Sequence, residues 1–306
     1  MDTRRVGFLG PVGTFTHEAL LALGEGEGNL VPLSSITDVL DAVASGSIDL
    51  GVVPIENGIE GTVSATIDGL LFDHDLLIER EIVLPIRLHL MARPGVTRSM
   101  VSTVWSYTHA LAQCRRFLAT LGAISIENAP STADAARMVA ESTEPLGAIA
   151  SDAAASTYGL VILDADVEDH PDNETRFVVV GRHQIPAPTG HDRTTIVCFQ
   201  DADRPGSLYG ILGRFAARDL NLTKLESRPT KRVLGEYCFV IEFDGHLADD
   251  VVADCLADLQ AHLARVKFLG SYPITGVEAA GRRDEVVAAR AAAGEWIDEL
   301  RGRISH

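Results

Sequence analysis

The sequence lacks the features that mark several protein classes. Among its 306 residues there are four cysteines, none in a CxxC pair, and no histidine cluster has metal-ligand spacing. No window holds the roughly 18 uninterrupted apolar residues of a membrane span. The start, "MDTRRVGFLG", has only a short apolar run, typical of a first strand and not of a secretory signal. We therefore expect structural thiols, no metal and a cytoplasmic location.

Positive charge is also scarce. The 26 lysines and arginines face 43 aspartates and glutamates, which gives a net charge of −17, and no basic block is present. This balance argues against nucleic acid and anionic membrane surfaces as partners. A small anionic ligand remains possible, but local donors must bind it because the overall field repels it.

The chain divides into two patterns and a tail. Residues 1–183 alternate short apolar strands with helices, which predicts a parallel or mixed α/β sheet. Residues 184–193 contain prolines and glycine without periodicity and predict a linker. Residues 194–275 follow the order βαββαβ of a ferredoxin-like sandwich, whose uncovered sheet face and edges favour dimerisation. Residues 276–306 predict a helical tail.

Two segments of the first part carry more specific predictions. "REIVLPIRLHLMA" predicts one long strand with Pro85 inside it, so we expect a bulge or an edge position. "THALAQCRRFLATLG" predicts one helix, with Gln113 in its second turn and Ser106 before it. Both side chains can then face one cleft.

Polar side chains follow the ends of several predicted strands, where open α/β sheets bind ligands. Taken alone, each of these residues can be explained by ordinary local structure, as a helix cap or a solvated turn. Together they predict a site for a small polar anion that needs no cofactor. The candidates are Thr14, Glu56, Asn57, Ser106, Gln113, Thr175, Arg176 and Phe177.

The last three candidates are consecutive residues at the start of the strand "TRFVVV". Successive side chains of a strand point to opposite faces, so Thr175 and Phe177 share a face and Arg176 points away. This weakens the prediction that Arg176 clamps a substrate carboxylate, and a bracing role through Glu174 or Asp172 remains open.

The ordered motifs resemble those of prephenate dehydratases. The resemblance rests on "GPVGTFTHEAL", "GVVPIENGIEGTV", the spacing of Ser106 and Gln113, and "TRF" at 175–177. The second part resembles an ACT regulatory domain through "GSLYGIL" at 206–212 and "ESRP" at 226–229. The resemblance covers about residues 4–275.

This resemblance implies a two-lobed, periplasmic-binding-protein-like catalytic domain followed by an ACT domain. The implied reaction converts prephenate to phenylpyruvate, CO2 and water in phenylalanine biosynthesis, without a cofactor. The family's essential threonine maps to Thr175 and its Glu-Asn pair to Glu56 and Asn57, which makes these three the expected catalytic residues. Thr14, Ser106, Gln113, Arg176 and Phe177 are the expected substrate-binding residues.

The resemblance further implies homodimers or homotetramers joined through ACT domains, with phenylalanine as the inhibitory effector. The expected effector residues are Gly206, Ser207, Leu208, Tyr209, Asn221, Leu222, Glu226, Ser227, Arg228 and Pro229. Two departures stand out: Tyr107-Thr108-His109 replaces the family's His-Pro-Gln, and Tyr209 is bulkier than its usual counterpart. An arogenate dehydratase and a non-catalytic amino-acid sensor are the alternatives.

Overall fold

The computed structural model describes most of the chain, in five segments. These are residues 4–24, 29–200, 204–275, 296–297 and 301–303. The chain splits into two compact units, Met1–Gln184 and Ile185–His306. The helix predicted for the tail lies outside the described residues except at the last two short segments, and the domain boundaries stay predictions.

The first unit contains two sheets with helices packed on them. Its strands are β1 (Arg5–Leu9), β2 (Asn29–Leu33), β3 (Leu50–Asn57), β4 (Gly61–Thr62), β5 (Leu77–Pro85), β6 (His89–Ala92), β7 (Thr103–Ser106), β8 (Ser125–Asn128), β9 (Leu146–Ala150), β10 (Val161–Asp164) and β11 (Glu174–Gly181). Its helices are α1 (Phe15–Ala22), α2 (Ile36–Ala44), α3 (Ser64–Asp68), α4 (Thr108–Ala112), α5 (Arg115–Ala119), α6 (Thr132–Glu141) and α7 (Asp152–Tyr158), with shorter helical turns at Gly69–Asp73 and Arg98–Met100.

Each sheet is the centre of one lobe. The first has the order β2-β1-β3-β11-β5, with β4 paired to β3, and the second has the order β10-β6-β9-β7-β8. In the first sheet β1 runs parallel to β2 and β3, whereas β11 runs antiparallel to β3 and β5. The chain leaves the first lobe after β5 and returns to it at β11. This architecture confirms the predicted two-lobed α/β fold.

The crossing between lobes explains where the strand prediction was wrong. The single strand expected from "REIVLPIRLHLMA" is two strands, β5 and β6, in different sheets. Pro85 ends the first of them, since proline has no N–H to continue a ladder. Ile86 and Leu88, which lie between the two strands, pack into a core cluster of the second lobe. Local sequence is equally apolar on both sides of the crossing, so it gives no sign of the change of sheet.

The predicted helix after Ser106 is also interrupted. It consists of α4 and α5, and the break falls at Gln113 and Cys114. Gln113 therefore ends a short helix. Its backbone N–H donates to the carbonyls of His109 and Ala110, and its own carbonyl accepts from Asp169 at 2.6 Å. The break thus ties the end of α4 to one distant segment of the second lobe, at Asp169.

Side-chain caps fix the starts of the helices that face the cleft. Thr14 precedes α1 and its hydroxyl accepts from the N–H of His17, while Ser131 precedes α6 and accepts from the N–H of Asp134. A cap of this kind satisfies one of the free N–H groups at a helix start and leaves others available.

Between residues 192 and 273, the described part of the second unit forms a four-stranded antiparallel sheet with two helices packed on it. Its elements are β12 (Asp192–Phe199), α8 (Ser207–Ala216), β13 (Leu222–Pro229), β14 (Tyr237–Asp244), α9 (Asp250–His262) and β15 (Arg265–Pro273), and the sheet order is β13-β14-β12-β15. Apolar residues of the sheet and both helices form one core cluster, which includes Ile211, Phe215 and Val252. The element order βαββαβ confirms the predicted ferredoxin-like domain.

Candidate functional site

A cleft of about 870 Å³ lies between the two lobes of the first unit. Of the eight residues predicted from the sequence for the site, Thr14, Asn57, Gln113, Thr175 and Phe177 line it, whereas Glu56, Ser106 and Arg176 do not. The lining also includes Glu60, His109, Ser131 and Asn173, which the sequence did not single out as site residues.

Thr175 and Asn57 face each other across the β11–β3 pair, where they are register partners. The Asn57 Nδ2 donates to Thr175 Oγ1 at 2.8 Å. The orientation of the Asn57 amide is fixed from its other end, because Oδ1 accepts the backbone N–H groups of Ile59 and Glu60, each at 3.0 Å. The Thr175 oxygen is therefore an acceptor toward Asn57, and its own proton is directed elsewhere.

Arg176 points to the opposite face of β11, as strand alternation predicted. Its guanidinium donates to Glu56 Oε2 at 2.9 Å and to Glu81 Oε2 at 3.2 Å. The side chain of Arg176 is 8% exposed, that of Glu81 1% and that of Glu56 37%. Glu56 and Glu81 are thus carboxylates that brace Arg176.

This ion pair also bears on Glu56. Its carboxylate contacts Arg176 at 2.9 Å and does not line the cleft, so Glu56 is not placed to contact a ligand bound there. Glu56 and Asn57 are neighbours in sequence, but their side chains leave β3 on opposite faces, that of Glu56 toward Arg176 and that of Asn57 toward Thr175.

Gln113 and Asn173 form a second amide contact in the cleft. The Asn173 Nδ2 donates to Gln113 Oε1 at 3.1 Å. Asn173 is 3% exposed and directly precedes β11. With Thr175 and Phe177 it forms a series of alternate residues, and all three line the cleft. Extending the alternation by two residues toward the N-terminus would have found Asn173 in the sequence.

Ser106 is fully buried and serves the second lobe. Its hydroxyl donates to the backbone carbonyl of Ile149 at 2.6 Å, and its backbone carbonyl accepts from Ala129. The hydroxyl therefore joins β7 to the neighbouring strand β9 behind the cleft wall.

Among the described residues that line the cleft there is no lysine or arginine. His109 lies there, 3.1 Å from the Glu60 carboxylate, and this contact joins the two lobes. The first N–H groups of an α-helix have no partner within the helix and attract anions. Thr14 and Ser131, which precede α1 and α6, both line the cleft, so the two lobes each present a helix start to it.

Cys114 follows Gln113 and is buried. Desolvation, with smaller contributions from Asp169 and Glu168, raises the pKa of its thiol to about 12. The thiol is neutral at physiological pH and is no nucleophile. Within the described ranges, no three histidine, cysteine or acidic side chains are placed to hold a metal ion, and none of the helices there is both long and apolar enough to cross a membrane.

The predicted effector residues lie at two places in the second unit. Gly206 precedes α8 with a φ of +88°, a conformation that favours glycine. Leu208 and Leu222 pack against the same hydrophobic cluster, so the start of α8 and the start of β13 share one core. Tyr209 is 81% exposed. In β13, Arg228 donates to Glu226 at 3.1 Å.

Comparisons with known proteins give both parts of the chain a family. The family model for prephenate dehydratase matches residues 6–185, and that for the ACT domain matches residues 194–261. A curated prephenate dehydratase of Bacillus subtilis is 37% identical over 279 residues, which cover 88% of this chain and 98% of the relative.

Two solved structures are similar over most of their length. The crystal structure of a prephenate dehydratase from Arthrobacter aurescens in complex with L-Phe is 38% identical with a TM-score of 0.86, and the match covers 97% of this chain and 99% of that one. A structure named as a novel type of quorum quenching acylase is 29% identical with a TM-score of 0.80, covering 89% and 98%. Since one fold carries two named activities, the family model and the curated relative decide the assignment.

Proposed function

Because the chain belongs to the prephenate dehydratase family, we propose that its interlobe cleft converts prephenate to phenylpyruvate. The observation that carries the proposal is the hydroxyl of Thr175, which lines the cleft and is held as an acceptor by Asn57. The alternatives are an arogenate dehydratase and a non-catalytic sensor, and the assay below separates all three.

The reaction needs little covalent help from the protein. Prephenate carries two carboxylates and a hydroxyl on a non-aromatic ring. When the ring carboxylate leaves as CO2, its bonding electrons enter the ring, and the C–O bond breaks with its electron pair on the departing oxygen. That oxygen takes up one proton and leaves as water, so the ring becomes aromatic. Catalysis therefore consists of placing a donor at the departing oxygen.

Thr175 is the donor that the geometry favours. Its oxygen accepts from an amide that is fixed by two backbone N–H groups, so its single proton points away from Asn57. An aliphatic hydroxyl is a weak acid, so Thr175 hydrogen-bonds to the departing oxygen and relays a proton from solvent in the cleft. Asn57 is then a positioning residue. Glu56 contacts Arg176 and does not line the cleft, so we assign it a bracing role.

Neutral donors bind the two substrate carboxylates in this proposal. The starts of α1 and α6 offer free N–H groups from opposite lobes, and Gln113 offers an amide. Phe177 is 2% exposed and packs with Phe8 and Val52 in the core of the first lobe, so it supplies a rigid apolar wall. Arg176 supports β11 from behind. Ser106 holds the second lobe together and does not contact substrate.

The test is an ultraviolet assay for phenylpyruvate with purified full-length protein. We expect turnover of prephenate, with a higher kcat/KM than on arogenate. Thr175→Val removes the hydroxyl at constant shape and should lower kcat by about 10²–10³-fold, while Thr175→Ser should retain most activity. Thr120→Val, at an exposed threonine outside the cleft, is the matched control. Absence of turnover by the native protein would support a sensor, and an unchanged kcat in Thr175→Val would remove Thr175 from the chemistry.

For the second unit we propose regulation by L-phenylalanine. The support is the ACT family model and the L-Phe complex of the similar Arthrobacter aurescens enzyme. The effector carboxylate would meet the start of α8 after Gly206, and its ring would meet the segment around Leu208 and Leu222. Binding there shifts the population of cleft conformations.

Two further points belong to this proposal. The strand β13 is an edge of its sheet, and pairing of such an edge with a second copy would yield the homodimer or homotetramer predicted from the sequence. The four cysteines are buried and form no disulfide among the residues that the structure describes, which supports a reducing, cytoplasmic location.

A further inference from the structure

Asn173 combines three properties that set it apart from the other polar residues of the cleft. It lines the cleft, it is 3% exposed, and its Oδ1 is buried with no hydrogen-bond partner among the residues that the structure describes. The described residues hold its side chain through one hydrogen bond, from Nδ2 to Gln113 Oε1. An unsatisfied buried acceptor is uncommon in native proteins and is typical of functional sites.

We propose that Asn173 is a positioning residue that sets the polarity of the Gln113 amide, an inference that rests on the function proposed above. A primary amide has an acceptor end and a donor end. Because Asn173 occupies the acceptor end of Gln113, the donor end, Nε2, faces the cleft. If this bond were reversed, the Gln113 carbonyl would face the cleft and repel a substrate with two negative charges.

The backbone around both residues leaves the side chains little other freedom. Gln113 is held at the break between α4 and α5 by hydrogen bonds with His109, Ala110 and Asp169. The Asn173 carbonyl accepts from Ile86 at 2.8 Å, and its N–H donates to His170. With both main chains fixed, the contact between the two amides decides which end of Gln113 is presented.

An asparagine that orients the side chain of a hydrogen-bond donor occurs twice near the start of β11. Asn57 orients Thr175, and Asn173, two residues before Thr175, orients Gln113. One asparagine thereby directs a donor at the departing oxygen and the other directs a donor at a carboxylate. The two donors approach the cleft from different lobes, so both would engage a substrate bound between them.

A double-mutant cycle tests the inference. Asn173→Leu removes the amide at similar volume and should raise KM for prephenate about tenfold or more, with kcat changed less than KM, because the lost contact is to a charged group. Gln113→Ala should raise KM by a similar factor. In the double variant Asn173→Leu/Gln113→Ala, KM should be almost the same as in Gln113→Ala alone, because the effect of Asn173 on binding passes through Gln113. Asn29→Leu, at an exposed asparagine on β2 outside the cleft, is the matched control.

Two results would overturn the inference while leaving the proposed function intact. Equal effects of Asn173→Leu with and without Gln113 would show that Asn173 acts independently of Gln113. A fall in kcat at constant KM would place Asn173 in the chemical step. If the leucine variant does not give the native thermal unfolding transition, Asn173→Ala replaces it in the same cycle. Lack of turnover by the native protein, by contrast, would sink the proposed function itself.

Discussion

Arg176 gives a sharp test of which residues of the "TRF" segment face the substrate. Its guanidinium bridges Glu56 and Glu81 on the side of β11 away from the cleft lining. The substitution Arg176→Met keeps the stem of the side chain and removes its charge. If Arg176 is a brace, this change lowers stability and leaves the affinity for prephenate nearly unchanged.

The expected loss of stability in Arg176→Met follows from how deeply the two carboxylate partners of Arg176 are buried. Glu81 is 1% exposed, and removing one partner of a buried ion pair costs about 3–5 kcal/mol, because the other charge stays buried. Glu56 is 37% exposed, and a pair with so much solvent contributes about 0–1 kcal/mol. For a unit of this size, 1 kcal/mol shifts the melting temperature by about 2–4 °C, so the Tm of Arg176→Met should fall by about 6–20 °C.

The assay combines thermal unfolding followed by circular dichroism with steady-state kinetics well below the Tm. The double variant Arg176→Met/Glu81→Leu removes both buried charges and should recover most of the lost Tm. Arg98→Met serves as the control, because Arg98 is 44% exposed and its partner Asp164 is 23% exposed, so the Tm should fall less than in Arg176→Met. An unchanged Tm together with a large rise in KM would refute the bracing role and return Arg176 to the substrate.

Two further predictions concern pH and the effector. Burial and then the neighbouring Asp152 carboxylate raise the pKa of Glu18, against an opposing contribution from His89, so its folded form holds a proton more tightly than its unfolded form. Stability is then lost as pH rises from the unfolded-state pKa of Glu18 through its folded-state pKa. Glu18→Gln should therefore have a higher Tm than the native protein at pH 7, and the two Tm values should meet below about pH 4. A Tm difference that does not change with pH would contradict this. L-Phenylalanine should inhibit prephenate turnover, at higher concentration in Tyr209→Ala, and a flat response of the native protein at millimolar effector would refute the regulation.

Strand alternation allowed part of the site to be predicted from the sequence. It placed Thr175 and Phe177 on one face and Arg176 on the other, because that pattern depends only on the extended backbone. The partners of Arg176 were not predictable in the same way. Glu56 and Glu81 lie 120 and 95 positions away, and they meet Arg176 only because β11 lies between β3 and β5.

The elements next to the site were predicted less well, for a physical reason. The apolar segment around Pro85 fits one strand by composition, and only the packing of Ile86 and Leu88 in the second lobe shows that the chain changes sheets. Gln113 fits a helix interior by periodicity, yet it ends α4, with its carbonyl bonded to Asp169, a residue of a distant segment. Tertiary packing decided the first outcome and a tertiary hydrogen bond the second, and neither leaves a signal in the local sequence.

The cleft reconciles an acidic protein with an anionic substrate. The net charge of −17 repels a dianion at long range, and no lysine or arginine stands among the described lining residues to offset it. At physiological ionic strength charges beyond about 8 Å are largely screened, so binding depends on donors in direct contact. Asn57 donates to the oxygen of Thr175 and Asn173 donates to the side-chain carbonyl of Gln113. In our proposal the donor of each side chain is therefore already directed toward the substrate. Donors that need no reorientation stabilise developing charge best, and neutral donors release CO2 and product without an ion pair to break.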